Sequence, residues 1–278
     1  GVEQHIHYNH RVEHLSWDSM SATWSIVLKV NGQDNVSMTC NFVYSCTGYY
    51  RYDQGYMPEF PGAGAFKGEI IHPQKWPENL DYSDKKVVVI GSGATAITLV
   101  PSMATSAAHV TMLQRSPTYV ISRSEKDSTA KTLERYLPDQ VAYWATRWKN
   151  VLSQMILYRM SKRRPDYIRR KLIEWTQIWL GKDFDVATHF SPRYNPWDQR
   201  LCLVPNGDLF RSLRKGTSSV VTDHISRFTA EGIELESGKV LDADIIVSAT
   251  GLELLALGGM HISVDGKSVD IFALHFFL

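Results

Sequence analysis

The sequence predicts an α/β chain built on two dinucleotide-binding modules, one complete and one without its first half, with a helical insertion in the complete one. Three observations predict it. An apolar strand near residue 90 runs into a glycine-rich turn and a helix. The set of strands that follows such a head occurs twice in the chain. Residues 125–182 repeat apolar side chains at intervals of three and four.

The first set of strands opens the chain. "NHRVEHLSW" reads as a lead-in strand, and "WSIVLKV" and "VSMTCNFVYSC" as a hairpin about "NGQDN" that continues into a strand ending on Ser45-x-Thr47-Gly48. The same order returns late: "TDHISRFTA", then "GIELESGKVLDADIIVSATG" with its turn at Ser237-Gly238 and its end at Ser248-x-Thr250-Gly251. Two tails and one head imply that another head precedes residue 1.

The head that is present is "KKVVVIGSGATAITLVPSM". Val87 to Ile90 form a continuous apolar strand, and Gly91-Ser92-Gly93-Ala94-Thr95-Ala96 makes the turn into a helix, a Rossmann-like arrangement. Gly91 allows the tight turn, Gly93 lets backbone approach a pyrophosphate, and Ala96 lets helix pack on strand. The phosphates would meet free N–H groups at the helix start. The next strand, "HVTMLQRSPTYV", ends on Gln114, Arg115 and Ser116 without a carboxylate. An acidic residue there would hold the ribose hydroxyls of NAD, whereas an arginine forks onto a 2′-phosphate, so the expected cofactor is NADPH, bound by Arg115 and Ser116. The alternative is an exposed arginine that ends a strand.

Thirty basic against twenty-nine acidic residues leave a net charge of +1, and nothing in that balance calls for nucleic acid. Cys40, Cys46 and Cys202 form no C-x-x-C pair and are odd in number, which fits a reducing, cytoplasmic compartment. Val87 to Gln114 carries no charged side chain, yet its glycines, Pro101 and hydroxyl residues make it a poor membrane span. The opening "GVEQHIHYNH" does not read as a signal peptide. His5, His7, His10 and His14 invite comparison with a metal cluster, but no metal is expected.

"FKGEIIHPQKWP" lies in a stretch with no clean helical or strand period and spaces Phe66, Gly68, His72 and Trp76 as F-x-G-x-x-x-H-x-x-x-W. With the flanking modules, this suggests a hinge: Gly68 gives backbone freedom, Phe66 and Trp76 pack against the two modules, and His72 makes a hydrogen bond that changes as they move. A structural histidine is the alternative, and a general base or metal ligand fits less well.

The loop resembles the fingerprint of type I Baeyer-Villiger monooxygenases, and with "VVVIGSGATAITLVP", "VTMLQRSPTYV" and "YNPWDQRLCLVPNGDLFR" the chain resembles the ethionamide monooxygenase-like branch of that flavin-containing monooxygenase family. Related N-hydroxylating enzymes carry Tyr or Phe where Trp76 stands. The resemblance implies a two-dinucleotide-binding-domain flavoprotein using FAD, NADPH and O2. Through a flavin peroxide it would turn a ketone into an ester or oxidise sulfur. It also implies Arg200 as the catalytic arginine, since a fixed positive donor stabilises both the peroxide anion and the anionic adduct. Gln199 departs from the family, where a lysine often helps to bind the 2′-phosphate, and this leaves Arg115 with more of the discrimination. Thr250 and Gly251 would lie at NADPH, and Val12, Thr47 and Gly48 at FAD.

The expected limits are 1–60 for the later part of an FAD domain, 61–84 for the hinge and 85–250 for the NADPH domain with its insertion at 125–182. Residues 251–278 would begin a return into the FAD domain. "AYWATRWKNVLSQMILYRM" and "YIRRKLIEWTQIWL" place their aromatics on one side, expected as core. "SKRRPDYIRRK" reads as a solvated basic face, with contact to an anionic membrane surface as the alternative. Besides a Baeyer-Villiger enzyme with a ketone or sulfur substrate, the sequence admits an N- or S-hydroxylating flavin monooxygenase, or an inactive NADPH-binding fragment of such an enzyme.

Overall fold

The computed structural model describes residues 1–270. Two compact units divide the chain, Gly1–Gly55 with the stretch from Leu252 onward, and Tyr56–Gly251. In the first, β1 (His10–Asp18) pairs antiparallel with β2 (Thr23–Val30), which pairs with β3 (Asp34–Cys40) across a turn at Asn31 and Gly32. Both turn residues have positive φ, 51° and 78°, which an Asn-Gly pair tolerates. β4 (Tyr50–Gly55) follows. The strand expected to close the first tail is not formed. Residues 41–48 join no sheet, and Phe42 and Tyr44 are 77% and 81% exposed. A parallel strand depends on neighbours for every backbone hydrogen bond, and unit 1 offers this run none among the described residues.

Unit 2 takes in the stretch expected as a hinge. It begins with β5 (Glu69–Ile71), β6 (Lys86–Ile90), α1 (Ala94–Met103), β7 (His109–Gln114) and β8 (Tyr119–Arg123). Then come α2 (Ser128–Tyr136), α3 (Asp139–Arg163), α4 (Pro165–Leu180) and α5 (Val186–His189). β9 (Leu201–Pro205), α6 (Asp208–Lys215) and β10 (Ser218–Thr222) complete the head. The tail is β11 (Ile225–Thr229), β12 (Gly232–Leu235), β13 (Val240–Asp242) and β14 (Ile245–Ser248). The chain then returns to unit 1, where β15 (Leu252–Leu254) pairs with β4, β16 (His261–Val264) lies parallel to β1, and β17 (Lys267–Ser268) adds an edge. The rest of the expected return, 271–278, lies outside the described residues.

A five-stranded parallel sheet, in the order β10-β7-β6-β14-β5, organises unit 2. Side chains alternate across a strand, and the core divides accordingly. Val87, Val89, Val110, Met112, Ile245 and Val247 face one apolar cluster with α1 and α6, while Val88, Ile90, Leu113 and Ile246 face another under β11, β12 and β13. Phe66 and Trp76 take opposite sides of this same sheet: Phe66 packs edge-on to Phe228 in the second cluster and Trp76 packs on the first. They therefore do not reach out to two modules. The fingerprint looked aperiodic because β5 has only three residues, too few to show an alternation.

Gly68 has a different reason from the freedom expected of it. A Cβ there would stand 2.1 Å from the Asp244 carbonyl oxygen and 2.7 Å from the Phe66 ring, so close approach requires the glycine.

The insertion is helical, but its aromatics are not core. α4 buries Ile168, Leu172, Thr176 and Leu180, a single stripe at four-residue spacing. α3 buries only Ala142 and Ser161, because its apolar residues surround the helix and just one side meets the protein; Trp148 and Ile156 are 55% and 57% exposed. Asp127 caps α2 through the Thr129 and Ala130 N–H groups and pairs with Lys149 of α3; Lys149 and these bonds hold its carboxyl down at about 2. Lys162, Arg163, Arg164 and Arg170 are exposed, and Lys162 pairs with Asp198. No helix among the described residues is long and apolar enough to cross a membrane.

Gly91 is the tightest point of the head, with φ +134° and room denied to a Cβ by the Ala249 carbonyl at 2.5 Å. Gly91→Ala is expected to lower unfolding free energy by about 1–3 kcal/mol in a urea titration, strain being added to a backbone clash. Gly64→Ala, with nothing within 4 Å of the new methyl, is expected to leave the midpoint unchanged.

Candidate dinucleotide-binding site

The turn after β6 is tied down on both sides. The Gly91 N–H donates to the Leu113 carbonyl at 2.8 Å, and the buried Ser92 Oγ donates to the Ser116 carbonyl at 3.2 Å and lies 3.1 Å from Thr118 Oγ1. The end of β7, which carries Arg115, is thereby fastened to the turn. α1 starts directly after Gly93, with Ala94 and Thr95 exposed at its opening and Ala96 fully buried against the sheet. A helix start of this kind leaves N–H groups without intrahelical partners.

Beside the turn is a cavity of about 720 Å³. Arg115, Ser116, Gln199 and Arg200, four residues singled out from sequence, line it together. The Arg200 guanidinium also reaches the glycine turn: Nη1 lies 3.8 Å from where a Cβ on Gly93 would stand. Thr188, Ser191, Arg193, Tyr194, Thr222 and His224 join the lining, and among the described residues no Asp or Glu does. Sequence reasoning missed these six. Arg193 and Tyr194 stand in the loop already read for Arg200, but Thr222 and His224 come into place only because β10 lies beside β7 in the sheet.

The loop that presents Arg200 is clamped along its length. Tyr119 of β8 donates its hydroxyl to the Tyr194 carbonyl and packs edge-on to that ring, while the Tyr194 hydroxyl donates to the Arg200 carbonyl, both bonds at 2.8 Å. The Lys162–Asp198 pair ties the same loop to α3 at 2.7 Å. β9 then starts at Leu201, in parallel register with Tyr119. Burial pushes the neighbouring Cys202 thiol up, against the pull of the Arg200 charge.

Gln114 does structural work. Its buried amide donates to the His189 carbonyl and to Thr222 Oγ1, each at 2.8 Å. Thr222 Oγ1 also lies 2.8 Å from His189 Nδ1, so one hydroxyl joins the Gln114 amide to the His189 ring. Burial holds the His189 pKa below its ordinary 6.5, partly opposed by Asp185.

His72, Thr250 and Gly251 lie elsewhere, where the chain enters and leaves unit 2. His72 Nδ1 accepts the Gln74 N–H, leaving Nε2 to donate to the Gly251 carbonyl at 2.9 Å. Tyr56 N–H donates to the same carbonyl at 3.2 Å, and Thr250 Oγ1 donates to the Tyr56 carbonyl at 2.7 Å. Thr250 and Gly251 thus bind the entry to the exit and are not part of the cavity lining. In unit 1, Val12 lies in β1 at a break in register, and Thr47 and Gly48, the latter at φ +69°, precede β4.

A parallel sheet with a glycine turn at its switch point and cationic side chains past the strand ends defines a dinucleotide-binding module of the doubly wound class. Residues 4–257 match the model of the flavin-binding monooxygenase-like family, and the chain belongs to that family. It is 52% identical over 272 residues to the FAD-containing monooxygenase EthA of Mycobacterium tuberculosis, covering 98% of this chain and 55% of that protein. It is 50% identical over 270 residues to a probable FAD-binding monooxygenase AlmA of Acinetobacter, covering 97% and 54%. The chain therefore spans about half the length of the curated relatives it matches. Among solved structures, steroid monooxygenase bound to NADP matches with TM-score 0.72 and 21% identity over 96% of this chain and 57% of that one. OTEMO in complex with FAD and NADP matches at 0.71 and 20%, over 98% and 57%. These two likenesses carry the fold, that of a two-dinucleotide-binding-domain protein.

His189 makes the site sensitive to acid. In the unfolded chain the imidazole takes up its proton at higher pH than in the folded one, so stability is complete above about 6.5 and declines as pH falls below it. Thermal midpoints between pH 8 and 5.5 are expected to fall by a few degrees more in the wild type than in His189→Gln.

Proposed function

We propose that the chain carries the NADPH-binding part of an FAD- and NADPH-dependent monooxygenase of Baeyer-Villiger type. The overall reaction is ketone, O2, NADPH and a proton going to ester, water and NADP+. Oxidation of sulfur is the second activity of the same site. One observation carries the reading: Arg115, Ser116 and Arg200 converge on a cavity at the glycine turn, with no acidic residue in its lining. Similarity to EthA, at 52% identity, supports it.

NADPH and FAD, when bound, supply the electrons and the activation of O2. The residues of this chain do the rest. The start of α1 offers N–H groups to the pyrophosphate, and the absence of a side chain at Gly93 lets it come close. Arg115 and Ser116 hold the 2′-phosphate. Among the described residues the Arg200 guanidinium has no ion-pair partner, and it is presented by a doubly clamped loop, so its N–H donors face developing negative charge without having to reorganise. His72 fastens Gly251, the last residue of unit 2, through its Nε2. Trp76 favours the Baeyer-Villiger reading over N-hydroxylation. The free thiols Cys40, Cys46 and Cys202 accord with a cytoplasmic setting.

A second reading is NADPH binding without catalysis by this stretch of chain alone. It is favoured by unit 1, where residues 41–48 join no sheet and, among the described residues of the β1–β3 strands, only Leu15 and Leu28 are buried. Retention of yellow flavin through gel filtration excludes this second reading, and loss of flavin with NADPH still bound selects it.

Arg115→Ala is expected to weaken NADPH roughly 10- to 100-fold and leave NADH unchanged, measured as Kd by fluorescence titration; equal losses for both nucleotides refute the assignment. In the flavin-loaded enzyme, Arg200→Ala is expected to cut ester formation by about 100- to 1000-fold while NADPH still binds. Ketones, thioethers and amines offered side by side, with products read by mass spectrometry, separate the Baeyer-Villiger reading from N-hydroxylation.

A further inference from the structure

Taking the cavity as the NADPH site, we propose that Arg193 is a specificity-determining residue, the second cation on the 2′-phosphate, replacing the charge that Gln199 lacks. A phosphate monoester carries between one and two negative charges at neutral pH. Arg115 supplies one positive charge at the end of β7, and Arg200 is already assigned to the negative charge that develops in the reaction. Gln199 is uncharged. Of the remaining lining residues, Arg193 carries the one guanidinium, and it opens into the same cavity as Arg115 and Ser116.

Its backbone is fixed and its side chain is free. Just before it, Pro192 is buried and Ser191 Oγ donates to the Val186 carbonyl at 3.0 Å; just after it, Tyr194 is held at both carbonyl and hydroxyl. Among the described residues the Arg193 side chain makes no ion pair or hydrogen bond. Three carboxylates on the segments that line the cavity are used elsewhere. Asp198 pairs with Lys162 at 2.7 Å, Asp185 caps α5 through the Thr188 N–H at 3.0 Å, and Asp223 accepts the His224 and Ser237 N–H groups. Arginines gathered in one concavity without an acid repel each other until an anion arrives, and two guanidinium forks can share the three terminal oxygens of a phosphate.

The test measures Kd for NADPH, NADH and adenosine 2′-monophosphate in the wild type and in Arg115→Ala, Arg193→Ala, Arg193→Gln and Arg193→Ala/Gln199→Lys. Circular dichroism confirms folding of each. Both Arg193 variants are expected to weaken NADPH and adenosine 2′-monophosphate by roughly 10- to 100-fold with NADH unchanged, and to flatten the salt dependence of NADPH binding. The added lysine is expected to recover most of the loss. Equal weakening of NADPH and NADH, or a change below twofold in both, overturns the role of Arg193. If Arg115→Ala loses NADPH while the Arg193 variants do not, the cavity reading stands and this proposal alone fails; if the wild type shows no preference for NADPH, both fall.

Discussion

Everything at the site depends on a five-residue strand that is apolar on both faces. β6 places Val87 and Val89 under α1 and Val88 and Ile90 under the β11–β13 sheet, so it can sit only in the middle of a parallel sheet with a layer on each side. Burial of that kind fixes register, because a slip of one residue would exchange the two faces. With β6 fixed, Gly91 must turn where it does, against the Ala249 carbonyl, and α1 must start three residues later. The carboxyl ends of β7 and β10 come level with that turn, which is why Arg115 and Thr222 line one cavity although far apart in sequence.

Much of this was legible from residues alone. The unbroken apolar run, the G-x-G-x-x-A spacing and the carboxylate-free end of the next strand identified the turn and Arg115 without coordinates. The two tails were visible as a repeated order of strands. What was not legible depended on packing partners. The first tail's last strand has the same S-x-T-G ending as β14, yet β14 lies between β5 and β6 while residues 41–48 have no such neighbours, and pattern alone cannot supply them. The fingerprint's aromatics were read as reaching two modules because spacing does not reveal that β5 stands at the edge of the very sheet they cover. Arg193 was passed over because sequence alone does not show which arginines open into a cavity.

The insertion shows how periodicity can mislead about burial. α4 has one apolar stripe and buries it, whereas α3 spreads tryptophan, tyrosine, isoleucine and methionine around its circumference and leaves most of them in contact with water. Exposed apolar surface on that scale marks an interaction face in soluble proteins. The helix nevertheless contributes to the site, since Lys162 near its end holds Asp198 in the loop that presents Arg200.

The bonding at Tyr56, His72, Thr250 and Gly251 brings the first and last residues of the larger unit side by side. A body whose ends meet in this way resembles a bead threaded onto a loop: it can be cut out, or spliced into a different host, without stretching either partner. Such a geometry marks Tyr56 and Gly251 as the seams at which an engineer would cut.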